Sequence, residues 1–81
     1  MTKGNISERD FDILIKLSGI HSQKAILALR KYYVDGVIRK IACFDSNLSQ
    51  SYFSIAARKF ELTLMLINEL SGRVYQQGQI Y

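Results

Sequence analysis

The side chains able to do chemistry fall in one short stretch. Ser49, Gln50, Ser51, Tyr52, Ser54, Arg58 and Lys59 follow one another closely. Hydroxyls and an amide can hydrogen-bond base edges, and guanidinium and ammonium groups can pair with phosphates. Other reactive groups are sparse: one histidine, His21, and one cysteine, Cys43. No Cys or carboxylate sits at metal-ligand spacing from His21, which reads as a local hydrogen-bonding residue. No serine has an identifiable histidine and carboxylate to activate it, and no Gly-rich phosphate loop is present. The chain reads as a non-enzyme that needs no metal, cofactor or small-molecule ligand.

Those residues need a frame, and RKIACFDSNLSQSYFSIAARKF (39–60) supplies one. It reads as a helix, a polar turn and a second helix. A helix-turn-helix needs a small residue where its helices cross, a turn residue four positions on, and apolar anchors beyond. Cys43 is the small residue. Asn47 takes the turn, because Asn tolerates a left-handed backbone. Leu48 and Phe53 are the anchors, with Ala42 and Ala56 also inward. Ser49 can cap the second helix. That helix divides into an inward face, Phe53, Ala56, Ala57 and Phe60, and an outward one, Gln50, Ser51, Ser54 and Arg58. An ordinary helical hairpin in a small bundle meets part of this pattern; the polar, cationic outward face is what a DNA groove needs.

Eighty-one residues make one domain. A chain this short buries about 60–65% of its unfolded surface, so a monomer is marginal. A lone cysteine offers no disulfide and suits a reducing cytosol. Apolar runs are too short for a membrane span, and MTKGNISERD lacks the apolar core of a secretory signal. The net charge is +4, and its placement says more. Between Ile13 and Phe60 lie Lys16, Lys24, Arg30, Lys31, Arg39, Lys40, Arg58 and Lys59, opposed only by Asp35 and Asp45, a local excess of +6. A cationic middle favours a polyanion, though a solvated surface would look the same.

Along the chain, 1–6 reads as a loose arm. Ser7 caps a first helix whose face is Phe11, Leu14 and Leu17/Ser18, widened by Ile13, Ile15 and Ile20, and Gly19 ends it. Ser22 caps a second helix running to about Val34, with Ile26, Leu29 and Tyr33 in a stripe and Asp35-Gly36 as its stop. Val37 to Ser46 is the first helix of the helix-turn-helix, which spans 37–60. From Ser49 no breaker intervenes before Ser71-Gly72, so one long helix is allowed, with Phe60-Glu61 as the place for a kink. Within 61–71 the sequence is apolar nearly all round, so this segment must be covered on more than one side. Leu62, Leu66 and Leu70 share a face, and a second copy of the chain is the cover expected for it. The tail RVYQQGQIY carries no clear signal.

IHSQKAILALRKYYVDG followed by RKIACFDSNLSQSYFS resembles the PapB-type regulators of bacterial fimbrial (adhesin) operons. The similarity covers about Gly19 to Phe60. Its most specific pieces are Ile-His-Ser at 20–22, Leu29 to Gly36, Arg39-Lys40, Cys43 and Tyr52-Phe53-Ser54. The resemblance implies a cytoplasmic, all-helical transcription regulator that binds AT-rich repeats as dimers or larger assemblies, with contact in the minor groove. Arg39 matches a basic position tied to DNA binding, and Cys43 one whose integrity the domain needs. Ile41 stands where the family usually has an acid, and Ser51 where it usually has Gly.

The expectation is therefore an all-α small helical bundle containing a helix-turn-helix, with a long C-terminal helix for dimerisation. It would act as a nucleoid-associated DNA-binding regulator. Lys24, Arg39, Lys40, Arg58 and Lys59 are expected at phosphates, and Ser49, Gln50, Ser51, Tyr52 and Ser54 nearer the bases. A recognition helix argues for the major groove, the resemblance for the minor. The rival is a protein-interaction module, an anti-regulator binding another helical protein through the apolar 62–70 surface. A basic membrane-surface protein fits less well, since apolar and basic residues do not share one amphipathic segment.

Overall fold

Four helices follow the capping signals in the computed structural model, which describes residues 4–80, with side chains through 71. They are α1 (Glu8–Ser18), α2 (Gln23–Tyr33), α3 (Arg39–Asp45) and α4 (Gln50–Ile80). Ser7 Oγ accepts from Asp10 N at 3.2 Å, Ser22 Oγ from Ala25 N at 3.3 Å, and Ser49 Oγ from Tyr52 N at 3.1 Å. Each bond satisfies a first-turn donor that would otherwise face water alone. Gly19 closes α1 in the left-handed region, at φ 73°.

The core forms where four apolar stripes converge. Phe11, Leu29, Tyr33 and Phe60 are completely buried. Tyr33 stacks on Phe60 with centroids 4.7 Å apart, and Phe11 meets Phe60 at 5.3 Å. Burying side chains of this size contributes about 1.5–3 kcal/mol each. Phe11 near the start of α1 touches Phe60, whereas Gly19 and Ile20 after its end lie beside Tyr52 and Ala56. α1 therefore runs antiparallel to α4.

Four expectations need correction. Leu17 and Ile13 do not join the core face of α1; they are 61% and 50% exposed. The stripe instead runs through Phe11, Leu14 and Ile15, because the antiparallel approach of α4 selects one side of a helix apolar on several. Residues 4–6 are not a loose arm, and Met1–Lys3 lie outside the described residues. Gly4 N and Ile6 N donate to the carbonyls of Tyr32 and Tyr33 at 3.0 and 3.1 Å, and Ile6 is buried. Gly4 also packs on Gly36, where an added Cβ would stand 3.0 Å from the Gly36 Cα. The first helix of the expected helix-turn-helix is shorter than 37–46. Ile38 offers no capping side chain, and regular structure starts at Arg39. Finally, Ser71-Gly72 does not stop α4, which continues to Ile80. A glycine inside a helix costs only about 1 kcal/mol, less than a stop requires.

One polar contact locks α2 to α4. The Tyr33 hydroxyl donates to the Glu61 carboxylate. Burial, then this hydrogen bond and the Glu61 charge, push the phenol well above its ordinary range. The folded state thus holds Tyr33 neutral. Its contribution is complete below the unfolded tyrosine pKa of about 10 and is lost as pH climbs beyond it. Urea unfolding should show stability falling more steeply above about pH 10 in the parent than in Tyr33→Phe. At neutral pH the variant should be about 1 kcal/mol weaker. Parallel pH profiles would mean the pair contributes nothing.

Candidate nucleic-acid interface

The turn between α3 and α4 is fixed by backbone chemistry. Asn47 has φ 55°, the left-handed value its position requires. Its N–H donates to the Phe44 carbonyl at 3.1 Å, and Leu48 N–H to the Cys43 carbonyl at 2.9 Å. These paired bonds close α3 as a Schellman motif and satisfy carbonyls at its end. Cys43 is 2% exposed at this junction, and Ala42, Phe53 and Ala56 are buried with it. Burial pushes the Cys43 thiol up, more than nearby Arg39 lowers it. It therefore stays protonated and poorly nucleophilic, as a packing residue should. Among the described residues no cluster of His, Cys, Asp or Glu could hold a metal ion.

This turn aims the first half of α4 outward. Ser49, Gln50, Ser51, Tyr52, Ser54, Arg58 and Lys59 are all exposed on it. Helical spacing places Ser51, Ile55 and Arg58 along one line opposite buried Phe53, Ala56 and Phe60. Ser54 and Gln50 turn toward α3, and Tyr52 and Lys59 toward the α1–α2 loop. Lys24 and Lys40 are exposed on α2 and α3. The structure thus brings the expected residues of α4 onto one surface with cations on both flanks.

Two features were missed in the sequence. Ile55 is 64% exposed at the middle of this line. The sequence reading assigned it to neither face, and its register relative to Phe53 and Ala56 turns it outward. Arg39 is tied to the helix it accompanies. Its Nη2 donates to the Gln50 carbonyl at 3.0 Å and to Ser54 Oγ, and its guanidinium lies 5.2 Å from the Phe53 ring centroid. Arg30 is also committed internally, to Glu8 at 2.7 Å and Asp12 at 2.8 Å. His21, expected to make a local hydrogen bond, is exposed and makes none among the described residues, because Ser22 takes the capping role beside it.

On α4 beyond Glu61, Leu64 and Ile67 pack on the core, while Leu62, Met65, Leu66 and Leu70 are each about half exposed. Among the described residues no helix is long and apolar enough to cross a membrane.

Residues 1–75 match the family described as PapB, adhesin biosynthesis transcription regulatory protein. The chain belongs to the PapB family. The major pilus subunit operon regulatory protein PapB of Escherichia coli is 37% identical over 71 residues, 88% of this chain and 64% of that protein. The AFA-III adhesin operon regulatory protein of the same organism is 39% identical over 61 residues, 75% of this chain and 60% of the relative. The chain thus spans less than two thirds of the length of these relatives. The crystal structure of E. coli FocB superposes with a TM-score of 0.84 at 33% identity, covering 89% of this chain and 82% of FocB. The family consists of transcription regulators, not enzymes, and the resemblance read from the Ile-His-Ser and Tyr-Phe-Ser segments holds.

Proposed function

We propose that this PapB-family chain is a sequence-specific DNA-binding regulator of a bacterial fimbrial or adhesin operon, acting in the cytoplasm at the nucleoid. It binds AT-rich repeats as a dimer or larger oligomer. The observation that carries this reading is the exposed line Ser51, Ile55 and Arg58, set on a helix that the Asn47 turn and the Cys43 crossing hold fixed. Two strands border any DNA groove, and cations flank this helix on both sides, Arg39 and Lys40 on one and Lys59 on the other. Phosphate contacts there set the register, while Gln50, Ser51, Ser54 and Tyr52 meet bases. Ile55 fits a thymine methyl, which only the major groove presents. Replacing thymine by uracil should therefore weaken binding; unchanged affinity would favour the minor groove.

The general test is a salt titration on an AT-rich duplex. Binding through several phosphates falls steeply with salt, whereas docking of another helical protein on the apolar 62–70 surface does not. Arg58→Ala should remove one contact, shrinking the log–log salt slope by about one without changing thermal stability. Arg39→Ala should behave differently. It releases the Gln50 and Ser54 contacts, so melting temperature and affinity should fall together. Arg39→Lys should restore them only in part, because an ammonium lacks the flat guanidinium that lies over the Phe53 ring. A slope reduced by one with unchanged melting would make Arg39 a plain phosphate contact.

A further inference from the structure

His21 belongs to no interaction described so far. It lies in the short loop between α1 and α2 and is exposed, with no hydrogen bond or ion pair among the described residues. It borders a surface cleft of about 270 Å³ whose walls include His21, Ser22, Tyr52, Ile55 and Lys59. The loop forms one wall and the exposed flank of α4 the other. The described lining contains a cation, a phenol, a hydroxyl and an imidazole, but no carboxylate. The other charged groups nearest His21 along the chain are Lys16 on the last turn of α1 and Lys24 on the first turn of α2, again without an acid. A cleft with these donors and no internal counter-charge is built for an external anion. Ile55, at the centre of the outward line, shares the cleft wall, so an anion seated there lies directly beside whatever that line contacts.

We propose that this cleft seats one DNA backbone phosphate between His21 and Lys59, and that protonation of His21 strengthens the contact, making DNA affinity pH-sensitive. This rests on the DNA-binding reading above. Lys59 supplies a permanent charge. Histidine is the side chain whose type gains charge between pH 5 and 8. Neutral His21 can donate one hydrogen bond to a phosphate oxygen; the imidazolium adds a full charge. Thermodynamic reciprocity requires that a phosphate favoured by the imidazolium favours the imidazolium in return.

The test uses the full chain and an AT-rich duplex, with affinity measured at pH 6, 7 and 8 at constant ionic strength. In the parent, affinity should rise several-fold from pH 8 to pH 6. The salt slope should steepen by about one at the lower pH. His21→Gln should flatten both responses. Because His21 is exposed, the variant should keep its helical circular dichroism. A ring chemical-shift titration of His21 in the parent provides a second reading, with the midpoint moving up on addition of duplex. A pH response that survives in His21→Gln, or a midpoint that ignores the duplex, overturns the proposal while leaving the DNA-binding reading intact. A parent that binds no duplex at any pH overturns both. Inorganic phosphate alone is the comparison; if it shifts the midpoint as far as the duplex does, the ligand is a free anion and the backbone assignment falls.

Discussion

Cys43→Leu is expected to lower the stability of the fold sharply, and Cys43→Ala to leave it almost intact. The thiol is 2% exposed where α3 crosses α4, and its own carbonyl anchors the turn through Leu48. Alanine leaves a gap of one sulfur atom, which costs little where neighbours can relax. Leucine needs two more heavy atoms in a space closed by the helices. Overpacking of this kind costs about 1–3 kcal/mol. A domain of this size has about 4–12 kcal/mol in total, and its small core places it toward the lower end. The expected result is a melting temperature lower by about 10 °C or more for leucine and by a few degrees at most for alanine. DNA binding should follow folding, since the same crossing sets the angle of α4. Equal melting of the two variants would mean that Cys43 does not limit the approach of the helices.

Leu66→Lys is expected to yield a folded monomer. Leu66 is 53% exposed, and its neighbours Leu62 and Leu70 are exposed to a similar degree. The substitution therefore removes little from the core of one chain. A symmetric contact buries the same leucine on both copies, so each replacement acts twice and sets two ammonium groups against each other. Sedimentation should report half the parent mass, with circular dichroism unchanged. Affinity for a single site should change little. Affinity for a repeated site should drop by about a hundredfold or more, because the two half-sites no longer share a tether. A variant that remains dimeric would place self-association elsewhere. A variant that unfolds would show that the monomer needs its partner, which concentration-dependent unfolding of the parent would confirm.

The parts of the fold that local chemistry dictates could be read directly. Ser7, Ser22 and Ser49 are caps because a hydroxyl before an amphipathic run has one good use. Asn47 is left-handed because nothing else near the turn tolerates that backbone. What could not be read depends on how helices meet. Ile13 and Leu17 look like core residues as much as Leu14 and Ile15 do, and only the approach of α4 decides that Leu14 and Ile15 alone go in. Gly4 and Ile6 look idle until the α2 terminus offers two carbonyls. Arg39 was identifiable as a cation near the second helix of the pair. Its bonds to Gln50 and Ser54 required the crossing angle, which no spacing rule supplies. Ile55 was hidden for a related reason, since an isoleucine amid aromatic and alanine residues belongs to neither face until its angular position is worked out.

α4 is one uninterrupted helix, and this has a consequence for how the chain can vary. Ser51, Ile55, Arg58 and Leu62 fall at intervals of four, three and four, on one line along the rod. The outward line of the first half and the leucine face of the second are therefore held in phase by residue count alone. Each residue advances a helix by about 100°, so a single insertion near Thr63 would swing one surface a quarter turn from the other. Seven inserted residues would nearly restore the alignment and lengthen the rod by about 10 Å. The number of residues between Lys59 and Thr63 therefore cannot change without turning one surface against the other.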